Sequence, residues 1–169
     1  MSNVISTPVS RALDQRGIPY TFFRHAGPVN SVAQAAAERG MTVDQVVRSI
    51  VFRTAPGQFV MALVSGERQV SWPALRRILG QSRLTMATAD EVQQATGYQP
   101  GAVSPFGLPA PLRILVDRSV LDQQVVSIGS GVRSTAVILT VADLMRGLEA
   151  FELADLTAPG QAGPRPKEG

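Results

Sequence analysis

The chain has 169 residues, enough to bury one good core and too few for two full domains. It has no cysteine and one histidine, which excludes disulfides, thiol nucleophiles, zinc–thiolate sites and multi-histidine metal sites. The net charge is only +3, but 15 of the 16 basic residues are arginine and the single lysine is Lys167. Arginine favours planar, bidentate contacts to phosphate, so the balance permits a polyanionic partner; a G/C-rich genome would produce the same bias. No apolar run approaches the roughly 20 residues of a membrane helix. The N-terminus lacks a basic start followed by an apolar block, so the chain reads as cytoplasmic, with no membrane partner.

Thr7-Pro8 is a helix start, an N-cap followed by Pro at the first helical position. That helix carries Val9, Ala12 and Leu13 inward and stops at Gly17. Residues 18–25 (IPYTFFRH) follow as a strand rich in aromatic and β-branched residues. Ser31 caps a small-residue helix over 32–39, ended by Gly40, and 42–46 makes one more helical turn. Residues 47–53 and 59–65 pair as a hairpin across Ala55-Pro56-Gly57, both apolar enough to be central strands. Ser71-Trp72-Pro73 opens a helix to Leu79, with Arg76 and Arg77 facing outward. A short strand at 84–87 leads to a helix at 89–95, capped by Thr88 and ended by Gly97. Strands at 112–116 and 125–128 flank a turn or helical piece at 117–122. The last expected strand is 135–139, and Thr140 caps a final helix over 141–148. Strands alternate with helices but also form hairpins, so the expectation is one α/β domain with a mixed sheet. Residues 1–156 form that domain. The Pro- and Gly-rich remainder, 157–169, reads as a disordered tail that carries Arg165 and Lys167.

The stretch 96–108, TGYQPGAVSPFGL, fits none of these elements. Its glycines and prolines cannot propagate a helix or sit in a central strand, yet Ala102, Val103, Phe106 and Leu108 are too apolar for a solvated loop. A rigid, apolar loop is held against something, either the core it caps or a ligand that glycine lets approach the backbone.

This stretch resembles the signature loop of the aminoacyl-tRNA editing domains, the group of the YbaK-type deacylases and of the domain inserted in bacterial prolyl-tRNA synthetases. Gly101 to Pro105 match that family's GxxxP loop. Further segments fall in the family's order: QVVRSIVFR (45–53), MALVSGERQVSWPALRRILG (61–80), MATADEV (86–92), LRILVDRSVLD (112–122) and SIGSGVRSTAVILTVADLMRGL (127–148). The resemblance implies a mixed, partly barrel-like β-sheet surrounded by helices. It also implies a free-standing deacylase that hydrolyses mischarged aminoacyl-tRNA, with tRNA(Pro) carrying a small wrong amino acid such as alanine as the expected substrate. The partner is then the acceptor end of aminoacyl-tRNA, an aminoacyl-tRNA synthetase is a second candidate, and no metal or organic cofactor is implied. The alternatives are a non-catalytic module that holds the acceptor end or a synthetase, and a hydrolase of small aminoacyl esters.

An aminoacyl ester is already activated. Its hydrolysis needs a nucleophilic water, donors for the carbonyl oxygen and a selective pocket more than strong acid or base groups. Arg48 aligns with a hallmark lysine of the family. Alternation puts it on the strand face opposite Val47 and Ser49, and a charge in so apolar a strand is expected to face a ligand or an acidic partner. Arginine can clamp an anion but cannot serve as a neutral base. Gly101, Ser104 and Pro105 join Arg48 as the expected catalytic group. Ser104 as a nucleophile would need His25, since no G-x-S-x-G elbow exists. The Gly129-Ser130-Gly131 corner would place amides beside the central loop, and Arg133 would touch phosphate. His25, Tyr20, Ser49 and Phe106 complete the expected substrate contacts. Some cysteine-type members of the family carry an aspartate where this chain has Ala136, and its absence counts against that branch.

Overall fold

The computed structural model describes residues 6–157, so residues 158–169, with Arg165 and Lys167 of the expected tail, lie outside the described residues. Helices begin and end where short-range chemistry dictates. In α1 (Pro8–Gln15) the Thr7 hydroxyl accepts from Ser10 N and the Ser10 hydroxyl accepts from Thr7 N, a reciprocal cap behind a proline. Ser31 caps α2 (Val32–Arg39) and Gly40 ends it in the left-handed region.

The hairpin joins β2 (Val47–Ala55) and β3 (Gln58–Ser65) in antiparallel register, Val47 opposite Ser65 and Val51 opposite Met61, with Gly57 supplying the positive φ of the turn. α3 (Trp72–Leu79), β4 (Thr85–Met86) and α4 (Ala89–Thr96) follow, then β5 (Arg113–Asp117) and a 3-10 segment, Arg118–Asp122. β6 (Val125–Gly129), β7 (Thr135–Thr140), α5 (Val141–Leu148) and β8 (Glu152–Ala154) complete the chain. With β1 (Thr21–Arg24) they form two sheets, β1-β7-β6 and β4-β2-β3-β5-β8. The larger sheet is mixed, because β3 pairs antiparallel with β2 and parallel with β5. One parallel bridge, Val46 to Ser127, ties the sheets together at one corner. The result is the expected α/β domain with a mixed, curved sheet system.

Alternation along β2 and β3 divides the interior. Val47, Val51, Met61 and Leu63 face the smaller sheet and pack with Val126, Ile128, Val137 and Leu139, closed off by Leu13 of α1 and Leu144 of α5. Phe52, Val60, Ala62 and Val64 face the other way, onto Leu75 of α3, Leu115 and Leu156. β3, buried on both faces, is the axis of the fold.

Three expectations change. β1 is shorter than 18–25: Pro19 has no N–H to donate, and pairing with β7 starts at Thr21. The expected last strand is followed by β8, which pairs parallel with β5. Thr157, assigned from composition to the tail, is folded. It is 7% exposed, and the buried Asp117 carboxylate accepts from the amides of Leu156 (2.7 Å) and Thr157 (3.1 Å).

Candidate active site

β4 pairs with β2 only at Phe52 and Arg53, so Val47 to Ile50 have no strand partner on that side. The uncovered edge opens into a cavity of about 430 Å³ between the two sheets. Its walls are Val47, Val51, Val92, Val103 and Ile128, with Ala87 and Met86 toward the mouth. Its charged and hydroxyl side chains are Arg39, Arg48, Ser49 and Thr135. Ser49 Oγ is buried with no hydrogen-bond partner, and Gly101 and Gly129 present backbone. An unsatisfied hydroxyl in an apolar recess costs free energy unless a ligand or a water completes it.

The central loop and the glycine corner are one unit. Gly131 N donates to Ala102 O at 3.0 Å, and a Cβ on residue 129 would sit 1.9 Å from Val103 O. Only glycine fits where two backbones approach so closely. The loop is braced from behind by the Tyr98 hydroxyl, which donates to Phe106 O at 2.6 Å. Burial pushes the Tyr98 phenol up to about 12, with the Arg11 charge acting the other way, so it stays a donor.

A second cavity of about 500 Å³ adjoins the first. It is lined by the segment before α2, including Asn30 and Ser31, and by Arg133 and Ser134. The two cavities share Arg39, Val46, Gly101 and Thr135.

Of the residues expected from sequence, Ser49, Gly101 and Gly129 meet at the first cavity, and Gly101 and Arg133 at the second. Arg133 is exposed and donates to Pro100 O at 3.3 Å. The others do not converge. Arg48 touches the rim of the first cavity, but its side chain lies on the outer face of β2, opposite Val64. Its Nε donates to Gly66 O at 2.6 Å and its Nη2 to Arg68 O, so its partners are main-chain carbonyls of the β3–α3 connection, not a ligand or a carboxylate. Burial lowers its pKa, with Glu67 opposing.

Ser104 is fully buried, and its hydroxyl accepts from Phe106 N. No Ser–His pair forms, because His25 spends both ring nitrogens elsewhere: Nδ1 lies 2.6 Å from Glu38 Oε1 and Nε2 accepts from Arg39 Nε at 3.0 Å. The His25 side chain is 0% exposed, which also removes it as a substrate contact. Pro105 faces a separate groove beside Leu148, and Phe106, 1% exposed, is core. Tyr20 packs against the main core beside α1; burial raises its pKa first and Asp14 adds to that. Ser130 turns its hydroxyl to Thr135 and Val132 O, and Gly131 bonds to the loop. Sequence reasoning missed Arg39 and Thr135. Arg39 before a capping glycine reads as an ordinary helix-end cation, and no local signal separates it from one.

A family model described as the aminoacyl-tRNA editing domain matches residues 26–146. The chain is 31% identical over 143 residues to a proline–tRNA ligase of Trichlorobacter lovleyi, covering 85% of this chain and 24% of that protein. It is 26% identical over 143 residues to the prolyl-tRNA editing protein ProX of Acetoanaerobium sticklandii, covering 82% of this chain and 87% of that one. A crystal structure of a proposed trans-editing enzyme for prolyl tRNA synthetase aligns with a TM-score of 0.82 at 28% identity, over 92% of this chain and 99% of that one. This chain spans only 16–24% of the length of the proline–tRNA ligases it matches.

Proposed function

The chain belongs to the aminoacyl-tRNA editing domain family, and from that membership we propose that it is an aminoacyl-tRNA deacylase acting in trans on mischarged tRNA. The proposed substrate is tRNA(Pro) carrying a small wrong amino acid such as alanine; the likeness to ProX and to proline–tRNA ligases supports that choice. The observation that carries the reading is the pair of adjoining cavities. One holds the Ser49 hydroxyl without a partner among valine and isoleucine side chains, suited to a small acyl group. The other carries Asn30, Ser31, Arg133 and Ser134, suited to a nucleotide. An amino acid esterified to a terminal ribose has these two halves, and its scissile bond would lie where the cavities meet.

The apolar wall sets the limit of selectivity. One methylene more or less in such a pocket discriminates about 10–200-fold. The test is a deacylation assay with tRNA(Pro) charged with alanine, cysteine or serine, and with Pro-tRNA(Pro) and Ala-tRNA(Ala) as controls. Release of one wrong amino acid with the controls intact supports the reading and names the substrate. Equal release from all of them refutes selective editing. One observation favours the non-catalytic alternative: Arg48, at the position of the family lysine, has its guanidinium committed to the main chain. A folded protein that binds tRNA but releases nothing would decide for that alternative.

A further inference from the structure

Among the described residues, Arg39 is the only charged side chain that lines both cavities. It ends α2, and its guanidinium reaches across to the smaller sheet. Nε donates to His25 Nε2 at 3.0 Å, just past the end of β1, and Nη1 donates to Ser127 Oγ at 2.8 Å, in β6. Nη2 makes no hydrogen bond among the described residues.

The support behind Arg39 is itself ordered. An acceptor at His25 Nε2 requires the ring proton on Nδ1, which then donates to Glu38. Glu38 is held from its other oxygen by Gln34 Nε2 at 2.9 Å. Phe23 meets the imidazole edge-on, with ring centroids 4.8 Å apart. Glu38, His25 and Arg39 therefore form a directed chain that leaves one guanidinium edge aimed away from its supports. Burial lowers the Arg39 pKa, and the Glu38 charge opposes that shift. A cation so placed is preoriented, which is what charge developing in a transition state requires.

We propose that Arg39 is the catalytic cation of this site, with its Nη2 donating to the carbonyl oxygen of the scissile ester, and that His25 and Glu38 are its positioning residues. This rests on the deacylase reading. Water adds to the ester carbonyl carbon, and the π pair moves onto the carbonyl oxygen, where Arg39 meets the negative charge. The tetrahedral centre then reforms its C=O bond and expels the ribose oxygen. One proton of the water goes to that oxygen and the other to solvent, leaving an amino-acid carboxylate and a free ribose hydroxyl. Arg48 takes no part.

The experiment is steady-state deacylation by wild type, Arg39→Lys, Arg39→Gln, Arg39→Ala and His25→Gln, with a thermal melt for each. Loss of one oxyanion donor lowers kcat about 10²–10³-fold. The Arg39 variants should show that loss with KM nearly unchanged. Millimolar guanidinium should restore part of the Arg39→Ala rate, which a purely structural arginine would not allow. His25→Gln should lower kcat less. Three outcomes overturn the role: Arg39→Lys and Arg39→Gln active within threefold of wild type, a loss confined to KM, or no rescue of a folded Arg39→Ala. An active wild type with active variants refutes Arg39 alone. A wild type silent on every mischarged tRNA refutes the deacylase reading, and this role falls with it.

Discussion

Replacing Gly129 with alanine tests whether the central loop and the glycine corner form one rigid unit. The added methyl would lie 1.9 Å from Val103 O, 2.8 Å from Val103 C and 3.1 Å from Ala102 O. A comfortable C···O contact is about 3.3 Å, so one main chain must move by about 1.4 Å. No rotamer relieves the overlap, because all three atoms are backbone. Overpacking costs about 1–3 kcal/mol, and the upper end applies where no side chain can yield. For a domain of this size that is a fall in melting temperature of about 6–12 °C. If the loop shifts instead, Gly101 leaves its place at the cavity junction, and a misplacement of about 1 Å costs on the order of 10²-fold in rate. The assay pairs a thermal melt with deacylation of mischarged tRNA. Gly27→Ala is the control: a Cβ there meets nothing within 4 Å and the backbone is not left-handed, so its melting point should stay within about 2 °C of wild type. Wild-type stability together with wild-type rate in Gly129→Ala would refute the close approach and the rigid unit built on it.

Arg48→Gln should cost about 1–3 kcal/mol by orphaning the carbonyls of Gly66 and Arg68, while leaving deacylation per folded molecule within about threefold. A hundredfold loss of rate at unchanged stability would restore the substrate clamp. Asp117→Ala removes the acceptor for Leu156 N, Thr157 N, the Thr157 hydroxyl and Ser119, so it should cost about 3 kcal/mol or more in urea unfolding and make the amides of Leu156 and Thr157 exchange rapidly with solvent. Slow exchange at both amides would count against that anchor. Acid should destabilise the fold from one side only. Glu152 is held below its ordinary value first by the hydrogen bond from Arg113, Glu38 by Gln34 and then His25, and Asp143 by Arg146. Their folded values lie below the unfolded ones, 4.5 for glutamate and 3.8 for aspartate, so the stabilisation is complete above those values and is lost as pH falls through the folded ones. The part of the acid decline in melting temperature that Glu152→Gln removes should appear below about pH 4.5. A difference between wild type and Glu152→Gln that arises between pH 7 and 6 would contradict this assignment.

Much of the fold was legible before any coordinates. Helix starts at Thr7, Ser31, Ser71, Thr88 and Thr140 and stops at Gly40 and Gly97 are contests among atoms three or four residues apart. The sequence states such contests in full. The β2–β3 hairpin was legible for the same reason, with two apolar runs meeting across Pro56-Gly57. That Ser49, Gly101 and Gly129 line one cavity was legible because strand alternation and glycine corners determine where backbone and small side chains go.

The long polar side chains were not legible. Arg48 finds its carbonyl 18 residues away, Arg39 reaches a serine 88 residues away, and Asp117 holds amides 39 and 40 residues away. β8 exists only because β5 offers it an edge. By itself the sequence determined the helices, the β2–β3 hairpin with its inner and outer faces, and the loop beside the cavity, all through interactions local along the chain. Only the tertiary structure decided which arginine lies between the two cavities and that the one histidine accepts a hydrogen bond from it. A flexible side chain takes its partner from whatever distant segment packing brings within reach, and that choice is made after the backbone has folded.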